Sequence, residues 1–167
     1  MHVRPATADD AASIAAVDVA SWQAAYRGLM PDQYLSALSS EQREVDWQRR
    51  LLGGDAQRGR RTYVADEGEI AGFVRLGPDP DDPSGGFVFL LYVLPSYWRT
   101  GVGTALMAAA DAAFRDMGLG SATLGVLEAN DRARRFYERL GWHTDGSRQM
   151  DTYGGRDLAV LRYTRSL

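Results

Sequence analysis

Apolar positions recur along this chain at two periods, and each change of period marks the edge of an element. A short apolar start at Val3 runs into TADD, where Thr7 stands as N-cap and Asp10, three residues on, makes an acidic variant of the capping box. The spacing that follows predicts a helix to about Ser21 that buries Ile14, Val17 and Val19. The stretch SWQAAYRGLMPDQYL then carries Trp22, Tyr26 and a break at Gly28, with Pro31 suited to the first turn of a short helix. Ser39 with Gln42 repeats the capping pattern and opens a charged helix that ends by Gly53-Gly54.

The period then drops to two. TYVADEGEIAGFVRL reads as a hairpin, with strands at 62–66 and 70–76 around a polar turn that contains Gly68. GPDPDDPSGG, with three prolines and three aspartates, is an exposed loop, and FVFLLYV, without polar alternation, is a strand covered on both faces. From Gly103 the helical period returns: Leu106, Ala109 or Ala110, Ala113, Phe114 and Met117 form one face, with Asp111 and Arg115 on the other. MGLG stops that helix, SATLGVL is the next strand, NDRARRFYERLGW is a second short helix ending near Gly141, and residues 143–150 and 157–163 close as two strands. This order predicts an α/β (α+β mixed) fold. Its central twisted sheet is mostly antiparallel, holds one parallel strand-helix-strand unit, and carries helices on both faces.

Composition narrows the chemistry. At 167 residues and 45% hydrophobic content, residues 1–167 fit one domain with a core that needs no metal or disulfide. There is no cysteine, and with only two histidines, His2 and His143, no metal site is expected. All 19 basic residues are arginine, which removes a lysine Schiff base and the phosphate loop that ends in Gly-Lys-Ser/Thr. A net charge of −3 points away from a nucleic-acid partner, and the runs QRGRR and RARR read as solvated faces. No apolar leader opens the chain and no run of about 18 apolar residues occurs, so the expectation is a cytoplasmic protein with no membrane partner.

The remaining signal is LPSYWRTGVGTALM, where a buried strand turns through Gly101-Val102-Gly103 into a helix. Amides of roughly residues 99–104 then leave the carboxyl end of the strand at a positive dipole end, which suits a phosphate or pyrophosphate. A nicotinamide-dinucleotide site fails on context. Leu106 replaces the third glycine of that fingerprint, and too little chain follows to complete a doubly wound sheet.

VLPSYWRTGVGTALM followed by LGVLEANDRARRFYERLGW resembles the GNAT N-acetyltransferase superfamily. Its acetyl-CoA pyrophosphate loop reads Arg/Gln-x-x-Gly-x-Gly/Ala, and its later helix carries Asn…Ala…Phe-Tyr. The resemblance implies acetyl-CoA as acyl donor, with its pyrophosphate held by Trp98, Arg99, Thr100, Gly101, Val102, Gly103 and Thr104. Trp98 departs from the pattern by standing where the family has Arg or Gln, so Arg99 is the candidate for the charge. The resemblance also implies that the backbone of Leu91, Tyr92 and Val93 pairs with the pantetheine arm, and that Tyr137 donates a proton to the departing thiolate.

Asn130 either orients the donor or caps its helix. No carboxylate lies in FVFLLYV, which leaves Glu128 or ordered water as the base that makes the amine neutral. Trp22, Tyr26, Tyr92 and Tyr153 are the expected walls of an acceptor pocket for a small or amino-acid-like amine. A homodimer is compatible with this reading. The alternative is a non-catalytic acyl-CoA-binding or sensor domain on the same scaffold.

Overall fold

The computed structural model describes residues 1–167. Its elements are β1 (His2–Pro5), α1 (Ala11–Ala25), α2 (Asp32–Ser36), α3 (Ser40–Arg49), β2 (Arg61–Asp66), β3 (Ile70–Pro78), β4 (Gly86–Val93), α4 (Val102–Asp116), β5 (Ser121–Leu127), α5 (Asp131–Arg139), β6 (His143–Tyr153) and β7 (Arg156–Ser166). The strands form one seven-stranded sheet in the order β1-β2-β3-β4-β5-β7-β6. Every neighbouring pair is antiparallel except β4 and β5, which α4 joins. That is the mixed sheet expected from the element order.

Alternation along β3 assigns the two faces. Val74 and Leu76 pack with Leu106, Met107, Ala110 and Phe114 of α4, whereas Phe73 joins Ile14 and Val17 of α1 and Trp47 of α3. Full burial of a side chain such as Leu106 contributes about 1.5–3 kcal/mol relative to leaving it in water. Asp18, fully buried, ties α1 to α3 by accepting from Arg43 Nη1 at 2.8 Å and Trp47 Nε1 at 3.4 Å. Burial raises its carboxyl above the ordinary range, against the nearby Arg43 charge.

The capping readings have direct counterparts. The Asp10 carboxylate accepts the Thr7 amide at 2.7 Å, and Ser39 Oγ accepts the Gln42 amide at 3.3 Å. Four features differ from the sequence expectation. α1 runs on to Ala25 and leaves Val19 only half-buried. The Pro-rich loop after β3 is anchored, because Asp79 is buried and accepts from Thr123 Oγ1 at 2.6 Å and Arg162 Nη2 at 2.8 Å. Asp111 faces inward to an ion pair with Arg165 of β7, so it does not share an exposed face with Arg115.

The fourth difference makes the site. β4 is covered only at its start, and residues 89–93 are half-buried. Pairing with β5 covers Gly86↔Ala122, Phe87↔Thr123 and Val88↔Leu124 and then stops. On the other edge, Arg75 pairs with Leu90 and Leu76 with Val88, so Phe89 is an extra residue in β4. A bulge bends its strand and increases the local twist, and here β4 and β5 part beyond it. The guanidinium groups of Arg60 and Arg75 lie 4.4 and 5.0 Å from the Phe89 ring centre. Arg75 is fixed in turn by two hydrogen bonds to Asp55, at 2.7 and 2.6 Å.

Candidate active site

Between the parted strands lies a cavity of about 260 Å³ lined by residues of α1, β4, β5, α5, β6 and β7. Trp22, Tyr26, Tyr92 and Tyr153, far apart in the chain, all line it. Trp22 is their hub: its ring centre is 4.9 Å from Tyr26, 6.3 Å from Tyr92 and 6.0 Å from Tyr153, with Arg43 stacked 5.2 Å from its outer side. The Trp22 indole N–H is buried and meets no acceptor in the protein. Burial, above all, raises the phenols of Tyr26, Tyr92 and Tyr137 beyond the ordinary range, so each remains a neutral donor.

The backbone of β4 supplies the edge of the cleft. Leu94 N–H donates to Ala71 O at 2.9 Å, and Leu94 follows Val93, which sits opposite Gly72. Antiparallel alternation therefore turns the amide and carbonyl groups of Tyr92 toward β3 and those of Leu91 and Val93 toward the opening. Val93 O is already taken, by Trp98 Nε1 at 2.8 Å and Ser21 Oγ at 3.1 Å. Leu91, with the amide of Val93, is thus the backbone left to pair with an extended ligand. Tyr92 contributes its ring.

At the mouth, a turn at Pro95–Tyr97 leads into the glycine loop. Arg99 has φ 67° and Gly101 has φ 96°, and two left-handed residues so close together turn successive amides toward one side. The amides of Arg99, Gly101, Val102, Gly103 and Thr104 bond to no backbone carbonyl, and the first carbonyl of the helix, Gly101 O, accepts Ala105 N–H at 3.0 Å. A Cβ built on Gly101 meets nothing within 4 Å, so the space before the loop is open. Gly103 has a different reason: a Cβ there would come 3.2 Å from the Phe136 ring, so its hydrogen lets α4 pack against α5. Five free amides at a helix start fit a diphosphate group.

α5 brings Tyr137 to the cavity with 9% of its surface exposed, beside Phe136 and Trp142. Asn130 lines the same cavity, and its Oδ1 caps α5 by accepting the Ala133 amide at 3.1 Å. Glu128 does not join them. It lies outside the lining, and its Oε2 accepts from Arg148 at 3.0 and 3.2 Å, which weighs against the base reading of this residue. No carboxylate or histidine lines the cavity.

The residue that sequence reasoning missed is Arg132. It belongs to the RARR run taken for a solvated face, yet it lines the cavity, and its guanidinium carbon lies 3.3 Å from the Trp98 ring centre. A tryptophan at the loop's leading position was the available signal. No group of three or more His, Asp or Glu side chains is placed to hold a metal, and no helix is long and apolar enough to cross a membrane.

A family model described as Acetyltransferase (GNAT) family matches residues 22–142. The uncharacterized N-acetyltransferase YuaI of Bacillus subtilis is 32% identical over 132 residues, 77% of this chain and 72% of that protein. The GCN5-related N-acetyltransferase of Rhodopseudomonas palustris superposes with a TM-score of 0.78 at 28% identity, covering 99% of this chain and 95% of that one. PaiA N-acetyltransferase of Thermoplasma acidophilum, solved in complex with coenzyme A, gives a TM-score of 0.78 at 19% identity over 99% and 98% of the two chains, a likeness of fold.

Proposed function

We propose that this chain, which belongs to the GNAT family of acetyltransferases, moves an acetyl group from acetyl-CoA to the primary amine of a small or amino-acid-like acceptor. It is an N-acetyltransferase, and the non-catalytic alternative has no observation in its favour beyond the missing base. The observation that carries the acceptor reading is the Trp22, Tyr26, Tyr92 and Tyr153 wall, which narrows the cavity to about 260 Å³. A volume just below the usual range of small-molecule pockets supports an acceptor that enters as an amine on a short stem.

The geometry supports a division of labour. The loop amides of residues 99–104 and the Leu91 backbone hold the donor, the aromatic wall orients the amine, and Tyr137 faces the cavity between them. The donor supplies a thioester: the amine nitrogen bonds to the acyl carbon as the C–S bond breaks, the thiolate sulfur takes a proton from Tyr137, and the amine proton passes to water, from which Tyr137 regains its own. Aromatic walls also exclude bulk water, which would otherwise hydrolyse the thioester.

Release of free thiol from acetyl-CoA, followed across a panel of primary amines, amino acids and a basic peptide, tests this reading. Turnover above buffer hydrolysis is expected with small amines. Coenzyme A binding without acetylation of any amine would return the chain to a binding role.

The loop assignment has its own test, for which Gly103 is a poor site because any side chain there also strikes Phe136. Thr104 is exposed in the first turn of α4. A carboxylate at that position favours the helix by about 0.3–1 kcal/mol through the macrodipole but repels a pyrophosphate. Thr104→Glu is therefore expected to melt no lower than the parent while its coenzyme A Kd rises about tenfold or more, an electrostatic cost of roughly 1.4 kcal/mol. Equal affinity by calorimetry would move the phosphates elsewhere.

A further inference from the structure

The leading position of the glycine loop holds Trp98, whose indole N–H is spent on Val93 O, so this side chain offers nothing to an anion. Across from it, Arg132 presents its guanidinium carbon 3.3 Å from the Trp98 ring centre, close enough for the two planes to be in contact. Arg134 on the same helix is held by Tyr163 and the Glu128 carbonyl, and Arg135 pairs with Asp131. Arg132 has no such partner among the hydrogen bonds and ion pairs of the protein, although it borders both the cavity and the loop.

We propose that Arg132, laid flat on Trp98, is the side chain that binds the donor's diphosphate, taking from α5 the charge that the loop's own leading residue lacks. The inference rests on the acetyl-CoA reading above and adds a residue that the loop motif does not contain. Two features of the geometry support it, and the electrostatics agree. A stacked guanidinium keeps its N–H edges free, so Trp98 fixes the plane of Arg132 without consuming a donor.

Partial burial above all, with the like charge of Arg99 adding to it, lowers the proton affinity of Arg132. A bound dianion would offset both costs to the Arg132 charge. The five free amides of residues 99–104 stand at the same opening, so an oxygen anion there meets backbone donors from α4 and a planar cation from α5. The rival occupant is the carboxylate of an amino-acid acceptor, since Arg132 also borders the cavity. The stack on the loop residue favours the diphosphate.

Calorimetry with coenzyme A on the full chain and on Arg132→Gln and Arg132→Lys separates these outcomes, alongside donor and acceptor KM values. Loss of a charge-assisted contact is expected to raise the coenzyme A Kd about 10- to 100-fold in Arg132→Gln. Arg132→Lys should fall between, because it keeps the charge but not the planar fork. Raising salt should narrow the gap between parent and Arg132→Gln, and the tryptophan emission of the parent should change on binding.

Unchanged coenzyme A affinity in Arg132→Gln would overturn the proposal, and a rise in acceptor KM alone would give Arg132 to the acceptor. If the parent itself does not bind coenzyme A, the acetyltransferase reading fails instead. Arg132 is exposed, so both variants are expected to fold.

Discussion

Tyr137→Phe lowers kcat by about 10²- to 10⁴-fold, the range that a positioned general acid contributes, and leaves coenzyme A affinity nearly unchanged. The ring stays, with its contacts to Phe136 at 5.3 Å and Trp142 at 6.3 Å. What goes is a hydroxyl whose environment is set by burial first and the nearby Tyr26 second, with no hydrogen bond among the causes. Stability should therefore shift by less than about 1 kcal/mol.

Burial raises this phenol above the ordinary value near 10, which alone makes it a weaker acid. The thiolate it serves is formed in the same cavity, however, and burial disfavours that anion too. Burial thus acts on both partners in the same direction, and the two effects offset one another in the transfer. A raised phenol also keeps its proton as pH climbs, so any alkaline fall in rate below about pH 10 belongs to another group and persists in Tyr137→Phe. An acyl donor with a more acidic thiol needs less protonation and should recover part of the loss. A variant with parental turnover, or one whose coenzyme A binding falls as far as its rate, would make Tyr137 a packing residue.

The parts of this site that were legible in the sequence are those whose cause is local. Gly101 and Gly103 follow an apolar strand and open a helix, Asn130 precedes a helix it caps, and Tyr137 lies on that helix's buried face. Each of these needs only its neighbours in the chain. The aromatic wall was half legible, because Trp22, Tyr26, Tyr92 and Tyr153 are visible as aromatics while their convergence depends on where β4 and β5 part.

What stayed hidden depends on pairs distant in the chain. Glu128 reads as a free acid until Arg148, on β6, closes on it. Asp111 reads as a solvent-facing residue until Arg165 of β7 lies beneath α4. Arg132 sits in a run of arginines that reads as a solvated face, and only the fold brings Trp98 under it. The bulge at Phe89 has no local signature either: an apolar run reads the same with or without an extra residue, and only the register against β3 reveals it.

That bulge is supported by a charge pair, and breaking the pair carries the largest expected cost to stability. Asp55 and Arg75 are 5% and 7% exposed and share two short hydrogen bonds. Arg75→Met leaves the Asp55 carboxylate buried without a counter-ion, for which about 3–5 kcal/mol is expected. The double variant Asp55→Leu with Arg75→Met removes both charges and should regain most of the loss, since a buried pair replaced by apolar groups of similar size is often nearly neutral.

The functional readout separates the pair's two duties. Arg75 also lies 5.0 Å from the Phe89 ring centre, on the residue that bends β4 away from β5. In the double variant Arg60 alone stacks on that ring, at 4.4 Å. If the stack holds the bulge open, the double variant recovers its urea midpoint but binds coenzyme A more weakly than the parent, because the Leu91 edge shifts. If stability and affinity return together, packing of Phe89 suffices to part the strands. A single Arg75→Met variant that loses less than about 1 kcal/mol would mean that water reaches Asp55 and that the pair behaves as a surface bridge.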